Sequence, residues 1–371
     1  MEQTMLKALA PFLPVIYMAI TLLCGVFYLR DFNKKLMVFL CLVVLTFSNL
    51  FLIWGETSYG LFFDGISVIA LLTLFWVLGY KEAFKILGVV ETSYLVLLIL
   101  GKTIFAHTPE GIVLLVIAFF LKLAVFPLFL WLPIVVKTID AVTAGFFICI
   151  FEIIDFVLLW RTVEQASCFP QFFESLREFS LYIGIITLLL GAGLALFEKN
   201  LKKLLAYATI DDTGYLLIGL SLFSPVSLYG TVILWINHVI SKLGLFFIAY
   251  RIEKNTSVIS LGKAKGLAKD YPGLAFSFLV FALTLIGVPI FPGFWGKLFL
   301  YQEVLKLSKA LFGLMVLGGC LTLVYFIRAY HSLFLGEKEP ETVNPPLPKL
   351  DLVLVMLLSF TIVLGCLIIG F

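Results

Sequence analysis

Charged side chains lie inside long apolar segments of this 371-residue chain. Charges in such segments are costly to place in a membrane and usually mark ion paths or ion pairs. A lysine removed from water gives up its proton more readily, so it can exchange protons near neutral pH when partners are close. These residues predict the movement of protons or small cations. They are Lys122, Lys242, Lys297, Arg328, His238, Glu91, Glu152, Asp155, Asp211 and Asp212.

Two of the lysines lie beside proline-rich breaks. Lys122 precedes Pro127 and Pro133, and Lys297 follows the 289–293 segment, which contains two prolines and a glycine. Interrupted helices are tolerated in membranes mainly where they line a cavity or are buried in protein. Paired interruptions in two halves of a chain indicate a transporter-type site. We therefore predict a polar axis that includes Lys242 and Lys297.

Helical spacing groups other charges on shared faces. His238 and Lys242 are four residues apart, and Glu152 and Asp155 are three apart, so each pair can share one face of a helix. Each buried lysine could instead serve only assembly, and His238 could be a packed histidine. The role of Asp211 and Asp212 stays open, because they could be functional or could form a water-exposed kink. We expect Arg328 to snorkel to the membrane surface. We expect Asp64 to be interfacial.

The elements that must position these charges are membrane-spanning helices. The chain is 62% hydrophobic and 13% charged, a composition that differs strongly from that of a soluble domain. A span needs about 20 apolar residues, and only helices satisfy the backbone of such a segment in lipid. The predicted spans are 11–29, 36–54, 61–80, 86–105, 111–132, 141–160, 179–197, 204–223, 227–250, 273–290, 294–308, 310–334 and 351–370.

Several classes of function are disfavoured by composition. The net charge is +3, with no basic run suited to nucleic acid. The six cysteines form no CxxC pair, and the three histidines are far apart, so we expect no cofactor and no metal. The N-terminus lacks the features of a cleavable signal peptide, so we expect the first helix to remain.

The distribution of lysine and arginine predicts the orientation. With the N-terminus outside, most basic loop residues fall inside, and the outside loops as far as residue 272 hold only Lys7, Lys102, Arg161 and Arg177. The charge balance is the same whether 273–308 crosses once as a broken helix or twice. The helix count therefore stays open at 12 or 13.

At these motifs the chain resembles the antiporter-like subunits of respiratory complex I, together with the large subunits of Mrp antiporters and of membrane-bound hydrogenases. The resemblance covers roughly residues 60–335, in family order. Its motifs are LFFDGIS at 61–67, KLAVFPLFLWLP at 122–133, AVTAG at 141–145, ALFEKNLKKLLAYATIDDTGYLLIGL at 195–220, NHVISKLGLFF at 237–247, GLAKDYP at 266–272 and GVPIFPGFWGK at 287–297.

The resemblance implies roles for individual residues. Lys122 would be the central lysine of a first half-channel, and Lys242 and Lys297 the connecting and terminal lysines of a second. It also implies an all-α fold of about 12 helices, with two inverted five-helix repeats and 273–308 as one broken crossing. The predicted divisions are 1–80 for N-terminal helices, 81–161 for a truncated first repeat, 178–335 for the second repeat and 336–371 for a loop and last helix.

The first half departs from the family pattern. Between 61–67 and Lys122 the chain is short by about two helices, and with them we expect the glutamate partner of Lys122 to be lost. Glu91 is the only nearby carboxylate that could take its place. The family's histidine and lysine of the following helix align with Phe147 and Ile153. We therefore expect no complete ion path of the usual kind in this half, and Glu152 and Asp155 could instead pair with Lys122.

These observations predict a membrane subunit that moves H⁺ or Na⁺ within a complex I-related assembly of a prokaryotic cell membrane. Other membrane-arm subunits and the bilayer would be its partners, and any redox chemistry would belong to other subunits. Two alternatives remain: a structural subunit that does not conduct, and a self-standing cation/proton transporter. The sequence leaves open whether the ion is H⁺ or Na⁺. It also leaves open whether the assembly is of the complex I, hydrogenase, sulfur reductase or Mrp type.

Overall fold

The computed structural model describes residues 58–256, 260–261 and 266–336, so the spans predicted at 11–29, 36–54 and 351–370 lie outside it. The described residues form helices, and their only bridge of β type is an isolated pair. The helices are α1 (Ser58–Val77), α2 (Lys81–Ile99) with a π-helical turn (Leu100–Ile104), α3 (Pro109–Lys122), α4 (Trp131–Thr138), α5 (Ala141–Ala166), α6 (Pro170–Phe197), α7 (Leu201–Leu222), α8 (Pro225–Thr256), α9 (Pro272–Ile286), α10 (Pro292–Leu307) and α11 (Lys309–Phe334).

The all-α prediction is confirmed. Four segments of the described chain are long and apolar enough to cross a membrane: Lys81–Ile104, Pro170–Phe197, Pro225–Lys254 and Lys309–Phe334. Shorter apolar helices precede and separate them. The chain is therefore a polytopic membrane protein, while the helix count and the inverted repeats stay predictions.

Proline sets where many of these helices begin. A proline at the first helical position lacks only an N–H that would have no partner in the helix, and its ring already has the helical φ. The helices that begin in this way are those starting at Pro109, Pro170, Pro225, Pro272 and Pro292.

Both predicted breaks are present. Helix α3 ends at Lys122 and α4 begins at Trp131; α9 ends at Ile286 and α10 begins at Pro292. One detail of the prediction is wrong: Pro133 does not break a helix, because it is the third residue of α4, where the N–H it lacks would have no partner in the helix.

The described residues divide into two compact units. The first contains residues 58–122 and 150–170, and the second contains 123–149 and everything from 171 onward. In the first unit α2 packs against α1 and α3. In the second unit α8 packs against α7, α9 and α10, and α11 packs against α9 and α10. Each cluster of buried charges described below belongs to one of these units.

Helix α7 is the most enclosed element of the second unit, with nearly every side chain buried. Glycine allows α6 to approach it closely. A Cβ added at Gly191 would lie 2.4 Å from the backbone nitrogen of Asp211, and one at Gly214 would lie 2.5 Å from that of Leu188. The backbone that carries Asp211 and Asp212 is therefore in direct contact with α6.

Basic side chains from neighbouring helices donate hydrogen bonds to three helix C-termini in the second unit. The last carbonyls of a helix have no partner within the helix itself. Arg177 donates to the carbonyls of Ser221 (2.8 Å) and Leu222 (2.6 Å) at the end of α7. Lys202 donates to the carbonyl of Ile139 just after α4, at 2.8 Å.

Arg328 closes the third of these ends. It donates to the carbonyls of Ala195 (3.2 Å) and Glu198, at the end of α6. Its guanidinium therefore bonds to the carbonyls at this helix end, and its snorkelling to the membrane surface stays a prediction. Partial burial opposes ionisation of Glu198 in this connection, but hydrogen bonds from Lys203 and two backbone N–H groups lower its pKa below the usual value.

Candidate functional site

The first cluster of buried charges surrounds Lys122, at the end of α3. Its ammonium lies 3.6 Å from a carboxylate oxygen of Glu91 on α2 and 3.4 Å from one of Asp155 on α5. The three side chains are at most 5% exposed. An ammonium between two carboxylates in a buried site is stabilised in its charged form. Of the predicted ion cluster of Lys122 with Glu152 and Asp155, the structure therefore shows the pair of Lys122 and Asp155.

The expectation that Lys122 has lost its glutamate is wrong. Glu91 supplies the carboxylate, because the helix that carries it, α2, packs directly against α3. Glu152, three residues before Asp155 on α5, is buried as well. Phe147, which stands where the family has a histidine, is a buried apolar side chain that contacts Trp131.

Two further side chains join this cluster that the sequence did not single out for it. The ammonium of Lys122 lies 4.2 Å from the centre of the Tyr94 ring, a cation–π distance. Asp64 on α1 is buried and close enough to Lys122 to interact with it electrostatically. The structure thus adds Asp64 to the Lys122 cluster, and its expected interfacial position stays a prediction.

The second cluster is centred on Asp212 of α7. One of its carboxylate oxygens lies 3.0 Å from Nδ1 of His238 and 3.0 Å from the ammonium of Lys242. His238 and Lys242 are one turn apart on α8, so a single carboxylate reaches both. Lys242 is completely buried. A carboxylate, an imidazole and an ammonium in contact form a set of groups that can pass a proton among themselves.

Asp211 belongs to the same cluster but faces another helix. Its carboxylate accepts hydrogen bonds from the hydroxyl groups of Thr322 (2.8 Å) and Tyr325 (2.9 Å), both on α11. Consecutive residues of an α-helix point about 100° apart, which explains the divergence. Both carboxylates are buried within a continuous helix, so the water-exposed kink is excluded.

Lys297 lies at the second helix break. Its ammonium donates to the carbonyls of Leu285 (2.8 Å) and Ile286 (3.3 Å), the last residues of α9. It also lies 4.4 Å from the centre of the Tyr215 ring, and it interacts electrostatically with Asp211 and Asp212. Both Lys242 and Lys297 therefore have polar neighbours, as the predicted polar axis requires.

Hydroxyl groups complete the second cluster. The hydroxyls of Tyr215 and Tyr301 are 3.1 Å apart, and Tyr215 also donates to the carbonyl of Met315. Sequence reasoning missed these tyrosines and Tyr325. The signal was present, because Tyr215 follows Asp211 by four residues and so shares its face of α7. Among the residues that the structure describes, no group of His, Cys, Asp and Glu is arranged to hold a metal ion.

Comparison with known proteins identifies relatives of this chain. The family described as "NADH:quinone oxidoreductase/Mrp antiporter, TM" matches residues 26–322. The chain is 29% identical to an NADH-quinone oxidoreductase subunit of Acidobacterium capsulatum over 276 residues, which are 69% of this chain and 54% of the relative. It is 27% identical to a Na⁺/H⁺ antiporter subunit of Alkalihalophilus pseudofirmus over 333 residues, 87% of this chain and 66% of the relative. The chain thus spans between about half and two thirds of these relatives.

Solved structures share the fold. A chain of respiratory complex I from Thermus thermophilus matches with a TM-score of 0.76 and 18% identity, over 96% of this chain and 84% of that one. A chain of the archaeal membrane-bound sulfane sulfur reductase matches with a TM-score of 0.71 and 19% identity, over 84% of this chain and 68% of that one. A chain of the Mrp complex from a Dietzia species matches with a TM-score of 0.70 and 18% identity, over 91% of this chain and 80% of that one.

The family match covers well over half of the chain. This protein therefore belongs to the family of membrane subunits shared by NADH:quinone oxidoreductases and Mrp antiporters.

Proposed function

We propose that this protein translocates H⁺ or Na⁺ as a membrane-arm subunit of a complex I-related assembly, and that the ion passes through the second unit. The observation that carries the proposal is the bridging position of Asp212, 3.0 Å from both His238 and Lys242. Lysines buried in a membrane protein and paired in this way are expensive to maintain, and they are typically functional.

The geometry supports a relay based on changes of charge. While Lys242 is charged, it neutralises Asp212. When Lys242 gives up its proton, the negative charge of Asp212 is left to His238, which can bind the next proton. Lys297 interacts electrostatically with Asp211, Asp212 and Lys242, so its own charge influences each of these states. A proton added at one end of the cluster thus favours release at the other.

The partners and the orientation also belong to this proposal. The relatives are named as subunits of a quinone oxidoreductase and of a Na⁺/H⁺ antiporter. We infer that this chain likewise assembles with other membrane subunits in a prokaryotic cell membrane, with its N-terminus outside and with redox chemistry in other chains. The inverted repeats 81–161 and 178–335 are part of the same proposal.

The test is Lys242→Ala in the assembled complex, reconstituted into vesicles. Asp212 keeps His238 as a partner, so the complex should assemble while H⁺ or Na⁺ uptake falls by about tenfold or more, equivalent to ~1.4 kcal/mol at the barrier. Lys254→Ala is the matched control, because Lys254 is an exposed lysine at the end of the same helix.

Two other outcomes identify the alternatives. Unchanged uptake in an intact Lys242→Ala complex would mean that the subunit is structural. That alternative has one observation in its favour, since Lys122 is held by carboxylates from two helices. A chain that purifies alone, is stable and transports ions without partners would instead be a self-standing transporter.

A further inference from the structure

Asp64 is a buried carboxyl group in the first unit to which neither the relay nor the family comparison gives a role. It lies in the second turn of α1 and is 5% exposed. Helix α1 packs against α2, which carries Glu91 and Tyr94. A carboxyl group placed there has left water without reaching the surface of the protein, so its charge must be compensated locally.

Among the residues that the structure describes, the charges around Asp64 do not balance. Three carboxyl groups, those of Asp64, Glu91 and Asp155, interact with one another electrostatically. The cations that interact with Asp64 are Lys122 and, from the π-helical turn, Lys102. With every group ionised, three negative charges would face two positive ones. Neighbouring carboxylates in a buried site resist full ionisation, and one of them keeps a proton.

Unused hydrogen-bonding atoms indicate where that proton is held. Glu91 and Asp155 are both paired with Lys122, which favours their ionised forms. Oδ2 of Asp64, Oε2 of Glu91 and the hydroxyl of Tyr94 are all buried, and none has a hydrogen bond of good geometry within the described part of the chain. Oε2 of Glu91 nevertheless has the Lys122 ammonium 3.6 Å away as a charge partner. Tyr94 is nevertheless close to Asp64. A protonated Asp64 could donate to this hydroxyl, whereas an ionised one would leave the excess charge uncompensated.

We propose that Asp64 holds an exchangeable proton, which makes the cluster of Asp64, Glu91, Tyr94, Lys122 and Asp155 a proton-loading site. The ligand is a proton taken up from water and returned to it, with no other change in the groups involved. The site belongs to the first unit, and it does not depend on the relay proposed for the second.

Infrared spectroscopy of the reconstituted complex tests the proposal. A protonated carboxyl has a C=O stretch that an ionised one lacks, so Asp64→Asn should remove the signal of one protonated carboxyl group. The variant should still assemble, because Glu91 and Asp155 remain to neutralise Lys122. Asp140→Asn is the control: Asp140 accepts hydrogen bonds from the backbone N–H and the hydroxyl of Thr143 at the start of α5. The asparagine oxygen can still accept the bond from the N–H, while its amide group can donate to the hydroxyl.

Further variants separate the possible outcomes. Asp64→Glu should keep the signal at a shifted frequency, which also guards against a folding defect in the asparagine variant. A signal unchanged by Asp64→Asn, or removed only by Glu91→Gln or Asp155→Asn, would overturn the assignment to Asp64. A signal that decreases when Na⁺ is added at constant pH would overturn the proton as ligand and identify a sodium site.

Discussion

Asp211 and Asp212 are adjacent in the sequence, yet their carboxylates bind groups on different helices. Asp212 contacts His238 and Lys242 on α8, and Asp211 accepts hydrogen bonds from Thr322 and Tyr325 on α11. One turn of α7 therefore connects two sets of polar groups. Since only Asp212 pairs directly with a buried ammonium, the two carboxylates should differ in their contribution to transport.

Asp212→Asn should lower ion uptake by about tenfold or more, which corresponds to ~1.4 kcal/mol. The substitution removes the negative charge that Lys242 and His238 share. Asp211→Asn should have a smaller effect, because an asparagine oxygen can still accept from Thr322 and Tyr325. The measurement is uptake by vesicles that contain equal amounts of assembled complex. Equal losses in the two variants would contradict the separation of roles.

Lys122→Ala should damage stability more than transport. It removes the ammonium shared by Glu91 and Asp155, and breaking a buried ion pair costs about 3–5 kcal/mol. The amount of assembled complex and its thermal unfolding give the readout, with Lys85→Ala, an exposed lysine on α2, as control. Normal assembly with uptake lost as fully as in Lys242→Ala would show that the first half conducts, and the truncated-path prediction would be withdrawn.

Gly191→Ala should destabilise the contact between α6 and α7. The new methyl group would lie 2.4 Å from the backbone nitrogen of Asp211, so a helix must shift, and overpacking of this kind costs about 1–3 kcal/mol. Gly193→Ala is the matched control on the same helix, since its methyl group would meet no atom within 4 Å. Thermal unfolding of the purified complex distinguishes them. Equal stability of the two variants would refute the close packing.

Two substitutions of Lys297 should affect stability and ion uptake to different degrees. Lys297→Met leaves the carbonyls of Leu285 and Ile286 without their donor and should cost about 1–3 kcal/mol in stability. Lys297→Arg keeps a donor but cannot readily lose its proton, so it should preserve more stability than Met while uptake falls. Thermal unfolding and uptake are measured on the same samples. An arginine variant with full uptake would exclude a change of charge at this position.

The sequence was sufficient for the helices and the breaks of the described chain. Apolar length and proline position determine these locally, which is why the predicted segments 204–223 and 310–334 agree with α7 and α11 to within a few residues. The identity of the buried charges was also accessible, because Lys122, Lys242 and Lys297 stand out in apolar surroundings.

The pairing of those charges was only partly accessible, since it depends on which helices pack together. The sequence offered Glu91 and Asp155 as possible partners of Lys122, but it did not indicate a partner for Lys242. The contact of Asp212 with Lys242 requires α7 to lie against α8, and the contact of Glu91 with Lys122 requires α2 to lie against α3. The burial of Asp64 was not foreseen, because nearness to the start of a span does not reveal what covers a side chain. Tyr94 and Tyr215 were missed because aromatic residues are abundant here, at 16% of the chain.

The cations that close helix ends have a mechanical consequence. Arg177 joins α6 to the end of α7, Arg328 joins α11 to the end of α6, and Lys202 joins α7 to the residue that follows α4. Helices fastened at their ends to their neighbours resist sliding along their axes. We therefore expect an ion that crosses the second unit to rely on rotation of side chains and exchange of protons more than on helices sliding past one another.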